Sequence, residues 1–120
     1  MYDSCHFYAA DPIEKVNKDL FTPIGKFFPF AVGASNKVHQ ASVKLDPNSD
    51  RYTAVNFTHV ELLAFLKEKA NIPAGKIDQL LLDAEGAEYE LVPYFAVGGP
   101  LETAGYDVCQ MNTELTMATI

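Results

Sequence analysis

The chain has 120 residues, 48% of them hydrophobic, and its 16 acidic residues against 9 basic ones give a net charge of -7. This length suits one globular domain, and the negative charge disfavours nucleic acid and anionic membranes as partners, since no two basic residues are adjacent. No apolar stretch is long enough to span a membrane and no signal segment is recognisable, so we expect no membrane contact in this segment, with the cytoplasm as the default address.

The N-terminal part of the sequence predicts a strand, a helix and a second strand. A short apolar run from His6 to Ala10 is typical of a strand, and Asp11 with the following proline provides a helix N-cap and a first helical residue. The helix should continue to about Phe21, because apolar residues recur at helical spacing. Lys26 to Gly33 is aromatic enough for another strand, and its internal proline favours an edge position.

The middle of the chain predicts one further helix. Ala41 to Leu45 either pairs with the preceding strand or extends a loop, and Tyr52 to Asn56 is a short extended piece. Thr58 and Glu61 then match a capping box, in which the side chain of each residue accepts the backbone N–H of the other. This pattern predicts a helix from Thr58 to about Ala70.

The C-terminal part holds the most strand-like run of the sequence. Ile77 to Leu82 is a mainly apolar run, of the kind found in strands that are buried on both faces of a parallel sheet. A helix should follow from Gly86 to about Val92, and Tyr106 to Leu115 predicts a last strand. Cys5 and Cys109 are too few for a disulfide framework, so we expect two buried free thiols.

Strands that alternate with helices of about ten residues predict an α/β fold, with a mainly parallel sheet and helices on both faces. In open sheets of this class, ligands bind outside the carboxyl ends of the strands. Asp11, Asp83 and Glu114 each follow a predicted strand. A shared site at this edge of the sheet is therefore our first hypothesis.

Four carboxylates crowd the chain between residues 83 and 90. Glu88 falls in the first turn of a predicted helix, where the helix dipole stabilises a negative charge by about 0.3–1 kcal/mol. Asp83 and Glu85 have no such structural explanation, and their mutual repulsion favours a functional role. Asp11 has two open interpretations, as a helix N-cap or as a carboxylate that accepts hydrogen bonds from ribose hydroxyls.

The segment "LLLDAEGAEYEL" resembles the D-x-E-G-x-E signature of the FkbM-type methyltransferases, which use S-adenosylmethionine on a Rossmann-like sheet. The order of the surrounding elements is similar over most of the chain. The resemblance implies that Asp11 binds the cofactor ribose, although family members often have Glu there. It also implies that Asp83, Glu85 and Glu88 are catalytic-side residues that face the sulfonium and a small-molecule methyl acceptor. Asp83 or Glu85 would then act as a base or orient the acceptor.

The chain departs from the family at both ends. In the family's strand order, a first strand with a glycine-rich cofactor turn lies between the strands predicted at His6–Ala10 and Ile77–Leu82. Neither that strand nor its turn precedes Asp11, and the family's closing strands are also missing. We therefore expect an incomplete Rossmann-like methyltransferase sheet, with residues 1–120 as a single partial domain or a degenerate member. Unpaired strand edges predict self-association, and binding of S-adenosylmethionine should be weak.

Three functional interpretations stay open. The first is an S-adenosylmethionine-dependent methyltransferase, present as a fragment, that acts on an oxygen of a small molecule, sugar or lipid. The second is a catalytically inactive α/β binding module of the same family, which the missing glycine turn favours. The third is an acidic metal-binding protein, although the scattered histidines give no ligand spacing and we expect no metal site.

Overall fold

The computed structural model describes residues 5–36, 38–43, 48–83 and 87–114. Within these ranges the strands are β1 (Tyr8–Ala10), β2 (Lys26–Phe28), β3 (Ala31–Gly33), β4 (Val38–Val43), β5 (Thr53–Glu61), β6 (Lys76–Ile77), β7 (Leu80–Leu82), β8 (Asp107–Val108) and β9 (Met111–Thr113). The helices are α1 (Asn17–Phe21), α2 (Leu62–Ala64), α3 (Glu88–Leu91) and α4 (Pro100–Thr103). A π-helical turn, Phe65–Lys69, extends α2, and a 3-10 turn, Val92–Phe95, extends α3.

Of the five strand pairings among the described residues, four are parallel, and the fifth, between β4 and β5, is antiparallel. The predicted α/β class with mainly parallel pairing is therefore confirmed. The described strands form four separate ladders rather than one continuous sheet: β1 with β2, β3 with β5 and β4, β6 with β8, and β7 with β9.

The first helix is shorter than the sequence predicts. It begins at Asn17 rather than after Asp11, and Val16 just before it has a positive φ of 75° that no helix adopts. The Asp11 carboxylate instead accepts the backbone N–H of Ile13 at 2.7 Å. Short polar side chains form such local turns at the expense of helix. The interpretation of Asp11 as a helix N-cap is therefore wrong.

The predicted strand from Lys26 to Gly33 is divided at Pro29. Its first part, β2, pairs with β1, while its second part, β3, pairs with β5. Proline has no N–H to continue a ladder, so the chain can change partners at this residue. Both parts lie at the edges of their ladders, as the sequence predicts.

The capping box predicted at Thr58 is not formed. The strand β5 continues through Glu61, because ladder hydrogen bonds to β3 and β4 on its two sides engage its backbone. The helix begins at Leu62, and the Glu61 carboxylate caps it by accepting the N–H groups of Leu63 and Ala64 at 2.7 and 3.1 Å. The sequence therefore contains the cap, but three residues later than predicted.

The core lies between α2 with its π-helical extension, α3 and α4. Leu91 of α3 is fully buried, at 0% exposure. The other buried hydrophobic residues of the cluster are Leu62, Phe65, Leu66, Ala70, Leu101 and Tyr106. The Phe65 ring also packs nearly perpendicular to the Phe28 and Phe30 rings, at centroid distances of 5.4 and 6.0 Å. These contacts connect both halves of the divided strand to the core.

The apolar run from Ile77 to Leu82 is not buried on both faces as predicted. The side chain of Leu81 is 71% exposed, while Leu80 and Leu82 beside it are half-buried. The expectation of buried thiols is also wrong, since Cys5 and Cys109 are both exposed and free. None of the helices in the described ranges has the length and apolar character needed to cross a bilayer.

Candidate functional site

Asp11 lies directly after β1, beside an open concavity of about 300 Å³. Its backbone N–H donates to the carbonyl of Phe28 at 3.1 Å, which extends the pairing of β1 with β2 by one residue. The walls of the concavity are formed by Ala9, Ala10, Asn17, Leu20, Phe21 and Phe27. A carboxylate therefore stands at the carboxyl end of a parallel strand, next to a largely apolar hollow.

This arrangement suits a ligand that has both an apolar ring and hydroxyl groups. Only Oδ1 of Asp11 is used by the turn to Ile13, so the second carboxylate oxygen can accept further hydrogen bonds. The apolar walls could cover a ring, and the carboxylate could take the hydroxyls attached to it. The residues present therefore fit the nucleoside part of S-adenosylmethionine.

Asp83 lies directly after β7, so it too follows the carboxyl end of a parallel strand. Its side chain is exposed, and it forms no hydrogen bond or ion pair with other residues in the described ranges. It is therefore available to a ligand or a reacting group. Glu85, the neighbouring residue of the predicted pair, lies outside the described residues.

Glu88, the third carboxylate predicted on the catalytic side, is the first residue of α3 and is only 1% exposed. The helix packs against β3, so this carboxylate faces the interior of the domain rather than an open surface. Its position at a helix N-terminus agrees with the predicted dipole contribution. Glu90 on the same helix is exposed.

A polar cluster that the sequence analysis missed lies at the carboxyl ends of β3 and β5. The Tyr94 hydroxyl is 2.7 Å from Oε2 of Glu61 and 3.2 Å from the carbonyl oxygen of Ala34. The side-chain oxygen of Asn36 accepts the backbone N–H of Glu61 at 2.8 Å. No local pattern could have revealed this cluster, because Tyr94 and Glu61 are 33 positions apart.

The Tyr94 hydroxyl is held in its neutral form. Burial raises its pKa to about 12, with further contributions from the hydrogen bond to Glu61 and from the negative charge of that carboxylate. Burial also raises the pKa of Tyr106, whose hydroxyl donates to the carbonyl of Ile72 at 2.6 Å. Neither phenol is therefore poised as a base near neutral pH.

The predicted site residues follow strands of two ladders, and Asp83 and Glu114 follow the paired strands β7 and β9. Asp11 and Asp83 lie at the ends of strands in different ladders, and no hydrogen bond or ion pair between described residues joins them. Among the described residues, no group of three His, Cys, Asp or Glu side chains could hold a metal ion. The arrangement therefore offers a largely apolar hollow beside Asp11 and an exposed carboxylate at Asp83.

A family model described as "Methyltransferase FkbM domain" matches residues 9–119 of the chain. The match includes both strand ends described above, and it confirms the resemblance seen in the signature segment. No match was found among curated proteins or among solved structures.

Proposed function

Because the chain belongs to the FkbM methyltransferase family, we propose that its residues serve the transfer of a methyl group from S-adenosylmethionine to an oxygen of a small molecule, sugar or lipid. The observation that carries this proposal is the Asp11 carboxylate at the rim of an apolar hollow, at the carboxyl end of β1. Ligands of open α/β folds bind at this edge.

Asp11 would bind the ribose of the cofactor. Its second carboxylate oxygen would accept hydrogen bonds from the ribose hydroxyls, and Phe21 and Phe27, which line the hollow, would offer apolar surface to the adenine ring. When bound, S-adenosylmethionine supplies an activated methyl group on a cationic sulfur.

Asp83 would act on the methyl acceptor. A hydroxyl must lose its proton as its oxygen attacks, and an exposed carboxylate can accept that proton or orient the hydroxyl. Glu85 remains a second candidate for this role by its place in the signature. Glu88, being buried, would act by positioning α3 rather than by touching the acceptor.

The experiment is a titration with S-adenosylmethionine, followed by NMR chemical shifts of the backbone amides. We expect weak binding, with the largest shifts in β1, α1 and β2. Asp11→Asn keeps an oxygen for the turn to Ile13 but removes the charge, and it should weaken binding roughly tenfold. Glu14→Gln is the matched control, because it removes a nearby carboxylate whose partner is the exposed Lys18.

Shifts confined to other parts of the domain, or equal affinities of the Asp11→Asn and Glu14→Gln proteins, would refute this cofactor site. Asp83→Asn should lower the affinity by less than Asp11→Asn does, since the proposed partner of Asp83 is the methyl acceptor. A large loss of affinity in Asp83→Asn would mean that this residue contacts the cofactor rather than the acceptor.

The burial of Glu88 favours a second candidate, a module that binds the cofactor or a metabolite without turnover. One of the three carboxylates predicted on the catalytic side is inaccessible to an acceptor in the structure. The two candidates differ in product formation. Accumulation of S-adenosylhomocysteine with a panel of sugars, lipids and small alcohols supports the enzyme, whereas binding with no product from any acceptor supports the module.

A further inference from the structure

Asn17 is the second polar residue that lines the hollow beside Asp11. The other described residues around this hollow are alanine, leucine and phenylalanine, none of which has a polar side chain. Asn17 is the first residue of α1, and it is half-buried. Besides Asp11, it is therefore the described residue of this hollow whose side chain can form directed hydrogen bonds with a ligand.

The Asn17 carboxamide is anchored by one hydrogen bond, which also fixes its orientation. Its Nδ2 donates to the backbone carbonyl of Ile13 at 2.9 Å. A carbonyl oxygen can only accept, so the nitrogen end of the amide faces Ile13. This bond uses one of the two N–H groups of Nδ2, and the side chain forms no other hydrogen bond within the described residues. One N–H and the oxygen Oδ1 therefore remain available to a ligand.

Asp11 and Asn17 are connected through a single residue. The backbone N–H of Ile13 donates to Oδ1 of Asp11 at 2.7 Å, and the carbonyl of Ile13 accepts Nδ2 of Asn17. The two polar side chains of the hollow are thus held by the two polar backbone groups of one residue. A ligand that carries hydroxyl groups beside a polar ring could contact both side chains at once.

The backbone immediately before Asn17 is strained. Val16 has a φ of 75°, a value that β-branched residues rarely adopt. A helical hydrogen bond already surrounds it, since the N–H of Lys18 donates to the carbonyl of Glu14 at 3.0 Å. Strained residues of this kind persist where their surroundings impose them, and they concentrate at ligand sites. The strain at Val16 therefore agrees with a functional role for the residue that follows it.

We propose that Asn17 recognises the adenine base of the ligand by two hydrogen bonds, one to the amino group at C6 and one to N7. This inference rests on the proposed function and assigns a specificity residue outside the signature segment. Oδ1 of Asn17 accepts from the amino group, and the remaining N–H donates to N7. Asparagine side chains recognise adenine in nucleic acids by the same pair of bonds.

This pair of bonds distinguishes adenine from purines that carry an oxygen at C6. In hypoxanthine and guanine, that oxygen would face Oδ1 of Asn17, so two acceptors would meet without a donor. Because Nδ2 is anchored to Ile13, the amide cannot turn round to present an N–H instead. The apolar walls contact any purine equally well. We therefore expect Asn17 to determine the choice of base, whereas the walls and Asp11 contribute to the binding of every nucleoside.

The test is an NMR titration of the unchanged protein with three nucleosides, followed through the backbone amides of β1, α1 and β2. Adenosine offers both groups that Asn17 would contact. Inosine has an oxygen in place of the amino group, and 7-deazaadenosine has a C–H in place of N7. Each analogue should bind roughly tenfold more weakly than adenosine, because each loses one of the two bonds.

Asn17→Ala should weaken adenosine binding roughly tenfold or more and should make the affinities of the three nucleosides nearly equal. Thr22→Ala is the matched control. The Thr22 hydroxyl also donates to the backbone carbonyl four residues earlier, that of Lys18, but Thr22 is exposed and does not line the hollow. It should therefore leave the preference for adenosine unchanged. Circular dichroism of both variants checks that the fold is kept.

The outcomes separate this inference from the proposed cofactor site. Absence of shifts in β1, α1 and β2 with every nucleoside would overturn both. Binding at these elements with equal affinity for adenosine and either analogue would overturn the role of Asn17 alone. An equal loss for all three nucleosides in Asn17→Ala would show that this residue only holds the turn at Ile13. A preference for adenosine that Asn17→Ala abolishes and Thr22→Ala retains supports the inference.

Discussion

The corner where β5 meets α2 and the ladder of β7 with β9 differ in how well their side chains are covered or hydrogen-bonded. At the corner, the Glu61 carboxylate accepts two backbone N–H groups and the Tyr94 hydroxyl, so a charged residue is held by three donors. In the ladder, Leu81 belongs to the most apolar strand in the sequence, yet its side chain is 71% exposed.

This difference separates two properties that are often treated as one. The apolar character of a segment predicts that it forms a strand, but its burial depends on whether other elements cover it. The polar corner is covered because β3, α2 and the 3-10 turn after α3 meet there. The apolar ladder is exposed because no described element packs over the Leu81 face. The neighbouring elements, rather than hydrophobicity alone, therefore determine which region is buried.

The largest loss of stability is expected for a substitution in the buried core. Leu91→Ala removes a side chain that is fully buried in the core, and it leaves a cavity between α3 and the residues of the α2 turn. We expect a loss of about 2–5 kcal/mol in the free energy of unfolding, measured from urea denaturation. A loss of less than about 1 kcal/mol would contradict a packed core at this position.

The second prediction concerns the pH dependence of the corner. The pKa of Tyr94 is about 12 in the folded chain and 10 in the unfolded one. Between these values the unfolded chain loses the phenolic proton while the folded chain keeps it, so the unfolded state is favoured as the pH rises. This contribution is fully present below pH 10 and disappears between pH 10 and 12.

We expect Tyr94 to account for about 1 kcal/mol of stability lost across that interval, because the hydroxyl is partly screened by solvent. Tyr94→Phe should lower stability at neutral pH by about 1 kcal/mol through the missing hydrogen bond, and it should show a shallower loss between pH 10 and 12. Lysine titration occurs in both proteins and cancels in the comparison. Parallel pH profiles of the two proteins would exclude the Tyr94 contribution.

Much of the fold could be predicted from the sequence, because it is determined by local patterns. The apolar runs at Tyr8–Ala10 and Leu80–Leu82 form strands as predicted, and the signature segment placed Asp83 at a strand end. The family match confirms the interpretation of that segment. These features depend on residues that are close together in the chain.

The errors arise where distant residues compete with local preference. Thr58 matches a capping box, but two neighbouring strands keep it within β5. The Asp11 carboxylate could cap a helix or close a tight turn. It closes the turn to Ile13, which is compatible with the pairing of β1 with β2. The contact of Tyr94 with Glu61 spans 33 positions and has no local sequence pattern. Tertiary partners therefore explain the cases of Thr58 and Tyr94.

The smallest loss of stability is expected in the exposed ladder of β7 with β9. Leu81→Ala removes the same atoms as Leu91→Ala, but from a side chain that is already in contact with water in the single chain. The free energy of unfolding should change by less than about 0.5 kcal/mol, because no buried contact is lost. A loss as large as the one expected for Leu91→Ala would show that β7 is covered within the chain, and the contrast with the β5 corner would then fail.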